Sequence, residues 1–487
     1  MNKEIYNLEP KAVWKHFYSL TQVPRPSKHE DKIQEFMVNF GKELGLETFK
    51  DETGNVIIKK PATPGMEDRK GVILQGHLDM VPQKNSDKNH DFKTDPIEAY
   101  IDGEWVTANG TTLGADNGIG VAAAMAVLSS KDLQHGPIEA LFTCDEETGM
   151  TGALGLKSGV LEGDILLNMD SEDEGELYIG CAGGIDIDAR FEYTPEKASD
   201  NKKAYKLTVK GLKGGHSGLD IILYRGNSNK LLFRFLKKAA KDFGMRISSV
   251  SGGSLRNAIP RESFATVVVP EDKASAFESA VKDYEKIFID ELHVKEPDLQ
   301  FFAEELADKG LQLIDEDTQK RFINAVYATP NGVIRMSDDM EGLVETSTNL
   351  AIIQAGDGKI QIAALMRSSV DTAKEDLAEM MSSVYELAGA SYTLQGDYPG
   401  WKPNPDSEIL RKMQDVYSNL YGKIPEIKAI HAGLECGLLG SVYTNWDMIS
   451  FGPTIRFPHS PDEKVNIESV KKFWNYLVET MKNIPKK

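Results

Sequence analysis

His77 and Asp79 stand at the end of the apolar run Val72 to Leu74, and both residue types suit metal chemistry. Side chains alternate between the two faces of a strand, so positions i and i+2 point the same way. Asp79 is therefore predicted to lie beside His77 and to accept one ring N–H, which leaves the other ring nitrogen free for a metal ion. The alternative is a histidine that only completes its hydrogen bonds at a strand end.

Three more acidic residues and a second histidine complete a mixed nitrogen and oxygen ligand set: Asp116, Glu147, Asp170 and His459. Together with His77 they are more ligands than one catalytic zinc takes, which is usually three protein groups and water. They suit two divalent ions that share a bridging carboxylate. Because the set contains no thiolate, zinc, manganese and cobalt are all chemically reasonable.

Glu146 adjoins Glu147 but is expected to point elsewhere, which leaves it free to act as a general base. Both residues follow the apolar run 138–144, at the predicted carboxyl end of a strand. The alternative for neighbouring acidic residues is a solvated loop. We expect that alternative only for Asp145.

Strands separated by helical stretches predict an α/β fold whose catalytic domain has a mainly parallel sheet with helices on both faces. His77, Glu146, Glu147 and Asp170 all follow predicted strands, and the working groups of such sheets lie beyond the carboxyl ends. We assign residues 1–185 and 399–487 to this domain. Residues 186–398 are predicted to form an inserted α+β lid domain. A pattern of strands and helices that recurs within it suggests, as an alternative to a single unit, two similar α+β halves.

Two local sequence patterns match known motifs, and one of them has a second interpretation. Ser27 and Glu30 match a capping box before the second predicted helix. Gly118-x-Gly120-x-x-Ala123 superficially matches a dinucleotide fingerprint, but the preceding residues are a polar loop and not the strand that the fingerprint requires. We expect these glycines to let the backbone wrap closely around a site that Asp116 faces.

Composition limits the function classes. The net charge is −19 and the pI is near 5.1, which argues against a nucleic-acid partner. The start, Met1 to Tyr6, has no apolar signal core, and no run is long enough to span a membrane. The three cysteines are far apart and predict neither a disulfide framework nor a thiolate zinc site. We expect a cytoplasmic protein with no membrane partner.

Several motifs together resemble those of the co-catalytic di-zinc metallopeptidases of the aminoacylase and carboxypeptidase G group. They are Gly76-His-Leu-Asp79, Gly114-Ala-Asp-Asn-Gly118, Asp145-Glu-Glu-Thr-Gly149, Asn168-Met-Asp170, Gly215-His-Ser217 and Pro458-His-Ser460. The chain length, the Pro24-Arg-Pro-Ser27 opening, the His431-Ala-Gly-Leu-Glu-Cys436 stretch and the large insert are similar to the aminoacyl-histidine dipeptidase branch, also called peptidase D.

This resemblance implies a role for each matching position. Asp116 would bridge two ions, which the resemblance implies are zinc, with His77 and Asp170 completing one metal site and Glu147 and His459 the other. Asp79 would orient His77, and Glu146 would be the base. Residues of the insert would contact the substrate: His216 would support the oxyanion, and Asn257 and Arg367 would hold the carbonyl and the terminal carboxylate. Glu435 would lie in a substrate-binding loop of the first domain, and the alternative for Arg367 is a surface cation.

The implied activity is metal-dependent hydrolysis of unblocked dipeptides of the Xaa-His type, such as β-Ala-His or Gly-His. The attacking water would lie between the ions, and Glu146 would take its proton. A related aminoacylase, desuccinylase or tripeptidase shares this chemistry, and the site motifs do not separate these activities. A metal-free binding module is the non-enzymatic alternative, and a homodimer is possible.

Overall fold

A computed structural model describes residues 3–199, 201–307 and 310–487, so Met1 and Asn2 of the predicted start lie outside the described residues. Three short 3-10 segments cover Lys3–Asn7, Ile221–Leu223 and Glu271–Lys273. The α-helices of these ranges are α1 Lys11–Thr21, α2 Asp31–Glu43, α3 Ala115–Ser129, α4 Glu146–Gly149, α5 Thr151–Gly155, α6 Ser228–Phe243, α7 Ala274–Leu292, α8 Glu316–Ala328, α9 Asp371–Leu387, α10 Glu408–Tyr421, α11 Glu435–Val442 and α12 Ile467–Lys482.

The strands alternate with these helices through most of the chain. They are β1 Glu47–Lys50, β2 Val56–Lys60, β3 Val72–His77, β4 Ala99–Asp102, β5 Trp105–Ala108, β6 Ile138–Thr143, β7 Ile165–Asn168, β8 Glu176–Cys181, β9 Gly183–Glu192, β10 Glu196–Lys197, β11 Lys202–Lys210, β12 Gly215–His216, β13 Arg246–Gly252, β14 Ala258–Ile259, β15 Ser263–Pro270, β16 Gln300–Leu306, β17 Gln312–Leu313, β18 Gly332–Met336, β19 Val344–Gly356, β20 Lys359–Ser368, β21 Ser391–Tyr398, β22 Glu426–Ile430, β23 Asp447–Ser450, β24 Ile455–Arg456 and β25 Lys464–Asn466.

The chain divides into two compact units. The first unit comprises Met1–Gly180, Pro403–Ala429 and Leu434–Lys487, and the second comprises Cys181–Lys402 and Ile430–Gly433. No helix in the described ranges combines the length and the apolar character that a membrane span requires.

The first unit is built on an eight-stranded sheet in the order β1-β2-β6-β3-β7-β23-β8-β22. The central neighbours β6, β3, β7 and β23 run parallel to one another. The pairs β1–β2, β2–β6 and β23–β8 are antiparallel, so the sheet is mixed, with a parallel centre. This is the predicted α/β class, and the antiparallel strands lie toward the two edges.

The parallel centre of this sheet is deeply buried. Every residue of β3, β6 and β7 is buried, as expected of strands that helices cover on both faces. His77 pairs in register with Thr143, and Gln75 pairs with both Leu141 and Asn168, so the three strands end side by side. Residues just beyond these ends are therefore brought to one edge of the sheet.

A small four-stranded sheet, in the order β24-β25-β5-β4, supports the C-terminal loop that contains His459. Lys464 of β25 pairs with Thr107 of β5, and the Thr107 hydroxyl donates to the backbone oxygen of Glu463 at 2.7 Å. This pairing ties residues 457–463 to the segment that leads into α3.

The second unit contains a nine-stranded sheet whose main path is β16-β11-β15-β13-β19-β20-β9-β21, with β18 paired to β19. Numbered in chain order, β11, β13, β15 and β16 have the spatial order 4-1-3-2. Strands β9, β19, β20 and β21 have the same order when counted from the opposite edge. Helices α6 and α7 accompany the first four strands, and α8 and α9 the second four, which is the β-α-β-β-α-β arrangement of a split βαβ sandwich.

One continuous apolar core lies under both groups of four strands. It contains Phe233, Phe235, Phe277 and Phe322 from the helices, together with buried residues of β9, β11, β19 and β20. The helices of the second unit are amphipathic and are therefore held by their apolar faces against this core rather than by intrinsic propensity.

Candidate functional site

The two oxygens of the Asp116 carboxylate face two different histidines. Oδ1 lies 3.1 Å from Nε2 of His77, and Oδ2 lies 3.2 Å from Nε2 of His459. Asp116 occupies a non-helical position in the first turn of α3, which aims its side chain out of the helix. One carboxylate is thus shared between two groups of possible ligands.

Each group is completed by one further acidic residue. Oδ1 of Asp170 lies 3.3 Å from Nε2 of His77, and Oε2 of Glu147 lies 2.9 Å from Nε2 of His459. In each of the two groups, one ligand atom per residue lies within 4.8 Å of the others. The structure therefore brings together all the residues predicted as metal ligands, in the two predicted sets.

The electrostatics of these groups indicate that positive charge is needed between them. Burial raises the pKa of Asp170 to about 6, with the His77 ring opposing this and the neighbouring carboxylates adding to it. Hydrogen bonds that the His459 ring donates to the Asp116 and Glu147 carboxylates raise the pKa of His459 to about 11. Buried anions that converge without a cation are costly.

Unpaired buried atoms point to the same requirement. Within the described part of the chain, Oε1 of Glu147 and Oδ1 of Asp170 are buried and accept no hydrogen bond. A carboxylate oxygen in this state is suited to a divalent cation, which also favours the mixed histidine and carboxylate donors present here. The residues therefore fit two divalent ions, one in each group, with Asp116 between them.

Asp79 is fully buried and links several parts of the site. Its Oδ1 lies 3.3 Å from Nδ1 of His77 and accepts the backbone N–H of Glu146 at 3.0 Å. Its Oδ2 accepts the backbone N–H of Glu147 at 3.2 Å and the hydroxyl of Ser27 at 2.7 Å. Burial opposes ionisation, but these contacts, chiefly that with His77, hold the pKa of Asp79 at about 2. Asp79 is thus a buried, charged carboxylate in contact with the His77 ring.

Glu146 follows β6 and begins the short helix α4. Burial raises its pKa well above the usual glutamate range, and the carboxylates of Asp170, Glu435 and Glu147 act in the same direction, whereas His77 opposes them. Glu146 can also form a cluster with His77 and Glu147, with ligand atoms within 4.8 Å. A carboxyl group with a raised pKa at this position can accept a proton and return it.

Two predictions on neighbouring residues are wrong. Asp145 is not a solvated loop residue: it is buried, has a φ of +52°, and accepts hydrogen bonds from the hydroxyls of Thr148 and Thr151. Ser27 and Glu30 do not form a capping box, because α2 begins without a side-chain cap. Ser27 instead donates to Asp79, and Oε1 of Glu30 accepts the backbone N–H of Asp145 at 3.0 Å.

Glu435 is the first residue of α11 and is almost completely buried. Its Oε2 accepts hydrogen bonds from Nε2 of Gln75 at 2.6 Å and from Oγ1 of Thr143 at 2.8 Å. Its Oε1 is buried and has no hydrogen-bond partner among the described residues. Burial raises the pKa of Glu435 to about 7, and the charge of Asp170 adds to this rise. The residue predicted to lie in a substrate-binding loop is therefore a buried carboxyl group with one oxygen available.

In the second unit, the loop that contains His216 fixes the state of its ring. Nδ1 of His216 accepts the backbone N–H groups of Gly218 at 3.2 Å and Leu219 at 3.1 Å. Nδ1 is therefore the acceptor nitrogen, and the neutral ring has its proton on Nε2. Burial lowers the pKa of His216, and the nearby Arg367 charge lowers it further. His216 is thus a neutral ring that can donate from Nε2.

The other predicted residues of the insert lie beside this loop. The backbone oxygen of Asn257 accepts the N–H of Ser217 at 2.8 Å, and the Asn257 side chain is exposed. Nε of Arg367 donates to Oγ of Ser217 at 3.3 Å, and Nη1 donates to the hydroxyl of Tyr398 at 2.9 Å. Arg367 is buried, so the surface-cation alternative for it is wrong. The structure brings His216, Asn257 and Arg367 together.

His431 joins the same group of residues and was not assigned a role from the sequence. Its Nε2 lies 2.7 Å from the hydroxyl of Ser347. Burial lowers its pKa to about 3, and the charge of Arg367 acts in the same direction. The ring is therefore neutral and buried beside the Arg367 guanidinium.

Three ionisable residues near the site in the first unit were not identified from the sequence: Arg25, Glu172 and Glu463. Glu463 accepts backbone N–H groups of the segment that ends at Asp116, and Arg25 donates to backbone oxygens of the same region. Burial raises the pKa of Glu172 to about 8, and the charges of Asp116 and Asp170 add to that rise. The sequence offers two signals that could have identified these residues. Glu463 lies four residues after His459, and Arg25 lies between two prolines.

Comparisons with known proteins give the family and a set of similar chains. The model of peptidase family M20/M25/M40 matches residues 73–483. The cytosol non-specific dipeptidase of Escherichia coli K12 is 49% identical over 484 residues, which covers 99% of this chain and 100% of that protein.

Solved structures include two that are similar over nearly the whole chain. The crystal structure of aminoacylhistidine dipeptidase from Vibrio alginolyticus has a TM-score of 0.95 at 52% identity and covers 100% of both chains. A tripeptidase from Staphylococcus aureus has a TM-score of 0.56 at 16% identity and covers 98% of this chain and 99% of that one, a likeness in fold alone.

Proposed function

Because the chain belongs to peptidase family M20/M25/M40, we propose that it hydrolyses unblocked dipeptides with two divalent metal ions held around Asp116. The observation that carries this proposal is the placement of the two Asp116 oxygens against His77 and His459. His77 and Asp170 would hold one ion, and Glu147 and His459 the other. Zinc is the proposed native metal, with cobalt or manganese as alternatives.

Divalent ions bound there would polarise water and the scissile carbonyl, which lowers the barrier to attack at neutral pH. Glu146 then accepts a proton from the attacking water at a carboxylate oxygen and returns it to the leaving amine. Asp79 keeps the His77 ring in one orientation and, through the N–H groups of Glu146 and Glu147, sets the position of both carboxylates.

Three residues of the second unit are proposed to bind the substrate. His216 would donate from Nε2 to the oxygen that becomes negative in the transition state, and it can do so while neutral because its Nδ1 is occupied as an acceptor. Arg367 would bind the terminal carboxylate, since its planar fork can form two parallel hydrogen bonds. Asn257, with its exposed side chain, would contact the carbonyl. The unit that contains them is proposed to act as a lid.

Glu435 is proposed to bind the free amine of the dipeptide. Support comes from its buried position and from Oε1, which accepts no hydrogen bond from any residue that the structure describes. A site that caps both ends of its substrate rejects peptides that lack a free amine, because a buried charged partner would then be left unpaired. We also propose a cytoplasmic location, in line with the name of the Escherichia coli relative, and a possible homodimer.

The preferred dipeptide is proposed to carry histidine at its carboxyl end, although the two similar dipeptidases are named for different breadths of substrate. The test is kcat/KM on Gly-His, Gly-Leu, acetyl-Gly-His and Gly-Gly-His under one set of conditions. We expect hydrolysis of Gly-His and rejection of the acetylated and tripeptide substrates. Equal rates on Gly-Leu would establish a broad dipeptidase instead. Turnover of acetyl-Gly-His would favour an aminoacylase, and turnover of Gly-Gly-His a tripeptidase.

A further inference from the structure

Glu463 is a buried carboxylate that accepts hydrogen bonds from four backbone N–H groups. Its Oε2 accepts from Leu113 at 2.8 Å and Gly114 at 2.9 Å, and its Oε1 accepts from Ala115 at 2.7 Å and Asp116 at 3.2 Å. Four consecutive amides are thus fixed by one side chain. The last of them belongs to the residue whose carboxylate faces both histidines.

This arrangement requires the acceptor-only form of the side chain. Each oxygen of Glu463 already accepts two N–H groups, so a proton on either oxygen would face donors and find no acceptor among these four partners. A glutamine at the same position would direct its amide hydrogens at two backbone N–H groups. Glu463 therefore acts here through its charge and its acceptor geometry and not through its volume.

Arg25 also binds this segment, through backbone oxygens. Its Nη1 donates to the backbone oxygens of Leu78 and Asp79, both at 2.9 Å, and its Nη2 donates to the backbone oxygen of Gly114. Gly114 has a φ of +71°, and a Cβ there would lie 2.6 Å from Nη2 of Arg25. The close approach therefore needs glycine, and the Gly114 residue is held at its N–H by Glu463 and at its oxygen by Arg25.

We propose that Glu463 and Arg25 are positioning residues that hold Asp116 where its two oxygens serve both metal groups. This inference rests on the proposed two-metal function. The Glu463 loop is itself anchored, because the Thr107 hydroxyl donates to the Glu463 backbone oxygen at 2.7 Å. The hydrogen bonds described for the two side chains all go to backbone groups, those of residues 113–116 and of Leu78 and Asp79.

Because both groups of proposed metal ligands share Asp116, a change in its position is predicted to affect the binding of both ions. Displacement of its backbone moves Oδ1 away from the His77 group and Oδ2 away from the His459 group at the same time. Loss of Glu463 should therefore weaken both ions. Of the two groups that share Asp116, Glu147 belongs to the His459 group and not to the group of His77 and Asp170, so its loss should weaken chiefly one ion.

The experiment is a zinc titration of metal-stripped protein in competition with a chelating dye, on the wild type, Glu463→Gln and Glu147→Gln. Glu139→Gln is the matched control: Glu139 is a buried carboxylate that accepts the N–H groups of Glu162 and Gly163, both at 2.8 Å, at the start of β6. We expect Glu463→Gln to weaken both ions by about 10- to 100-fold, the range for residues that support metal ligands. Glu139→Gln should bind both as the wild type does.

Each outcome separates the two proposals. Wild type that binds no ion or one ion overturns the two-metal function. Wild type with two ions and unchanged zinc affinities in Glu463→Gln overturns the positioning role alone, as does a loss confined to one ion. If Glu463→Gln does not fold, Arg25→Lys takes its place, since lysine keeps the charge but lacks the planar fork that reaches three oxygens. Unchanged affinities in Arg25→Lys, or failure of both variants to fold, also reject the positioning role.

Discussion

Oδ1 of Asp79 accepts the backbone N–H of Glu146 at 3.0 Å. This hydrogen bond connects the loop after β3 with the loop after β6, which come from neighbouring parallel strands. The residue proposed as the base is therefore hydrogen-bonded, at its backbone N–H, to the same carboxylate that is proposed to orient His77.

Glu146→Gln and Glu147→Gln should have different effects. The first removes the proposed proton acceptor, so turnover should fall by about 10²-fold or more while metal content stays near two ions per chain. The second removes a proposed ligand, so metal occupancy should fall. Steady-state kinetics and atomic emission on the same preparations measure both quantities. If the two variants exchange these behaviours, the assignment of base and ligand is reversed.

Removal of metal should abolish activity and destabilise the first unit. The charges of Asp116, Glu147 and Asp170 repel one another when no cation lies between them, and ions that bind only the folded chain stabilise it. We expect a lower thermal midpoint after chelation, and recovery of midpoint and activity on addition of zinc, cobalt or manganese. Fully active protein that contains one ion per chain would contradict the two-metal proposal.

Arg367→Lys should weaken recognition of the terminal carboxylate. Lysine keeps the charge but not the paired hydrogen bonds, which are worth about 1.5–3 kcal/mol each to a charged group, or roughly 10- to 100-fold in kcat/KM. The wild type should prefer Gly-His to Gly-His amide, and the variant should lose most of that preference. An unchanged ratio of the two kcat/KM values would show that Arg367 binds another part of the substrate.

His216→Ala should lower kcat by about 10²- to 10³-fold with a small change in KM, as for loss of one donor to an oxyanion. The reason is that Nε2 carries the proton in the neutral ring, so the donor is present without protonation. His216→Gln, which retains an N–H donor, should recover part of kcat. A loss expressed only in KM would indicate ground-state binding instead.

His431 should make the protein less stable in acid. Its pKa in the folded protein is about 3, whereas histidine in an unfolded chain has a pKa near 6.5. Between these two values the unfolded chain binds a proton that the folded chain does not. Stability is therefore lost as pH falls from about 6.5 toward 3, at no more than about 1.4 kcal/mol per pH unit for one proton. The difference in thermal midpoint between the wild type and His431→Gln, measured across this range, isolates the effect. A difference that does not change with pH would contradict it.

The sequence predicts residues that act through their own side chains better than residues that act through the backbone. His77, Glu146, Glu147 and Asp170 follow apolar runs, and strand geometry alone places such positions at one edge of a sheet. Glu463 and Arg25 leave no comparable pattern, because their partners are peptide N–H and C=O groups that every residue has. Such contacts depend on the path of the chain in space.

Local patterns can also mislead when a distant residue offers a better partner. Ser27 and Glu30 have the spacing of a capping box, and Asp145 stands in an acidic run that is typical of a solvated loop. In the structure Ser27 donates to Asp79, and Glu30 accepts the N–H of Asp145. Both partners are far away in the sequence and are separated from Ser27 and Glu30 by intervening strands. Tertiary contacts therefore override the local preference.

The junction between the two four-stranded groups of the second unit has a consequence for assembly. Strand β13 pairs with β19: Val250 lies opposite Ala355, and Gly252 lies opposite Ile353. Each group of four strands therefore covers an edge strand of the other group. Without this pairing, either group would present unpaired peptide groups that could recruit a strand from another molecule, as uncovered edges do in aggregation and domain swapping. The chain satisfies this edge internally. A second copy that associates with the protein must therefore do so through a different surface.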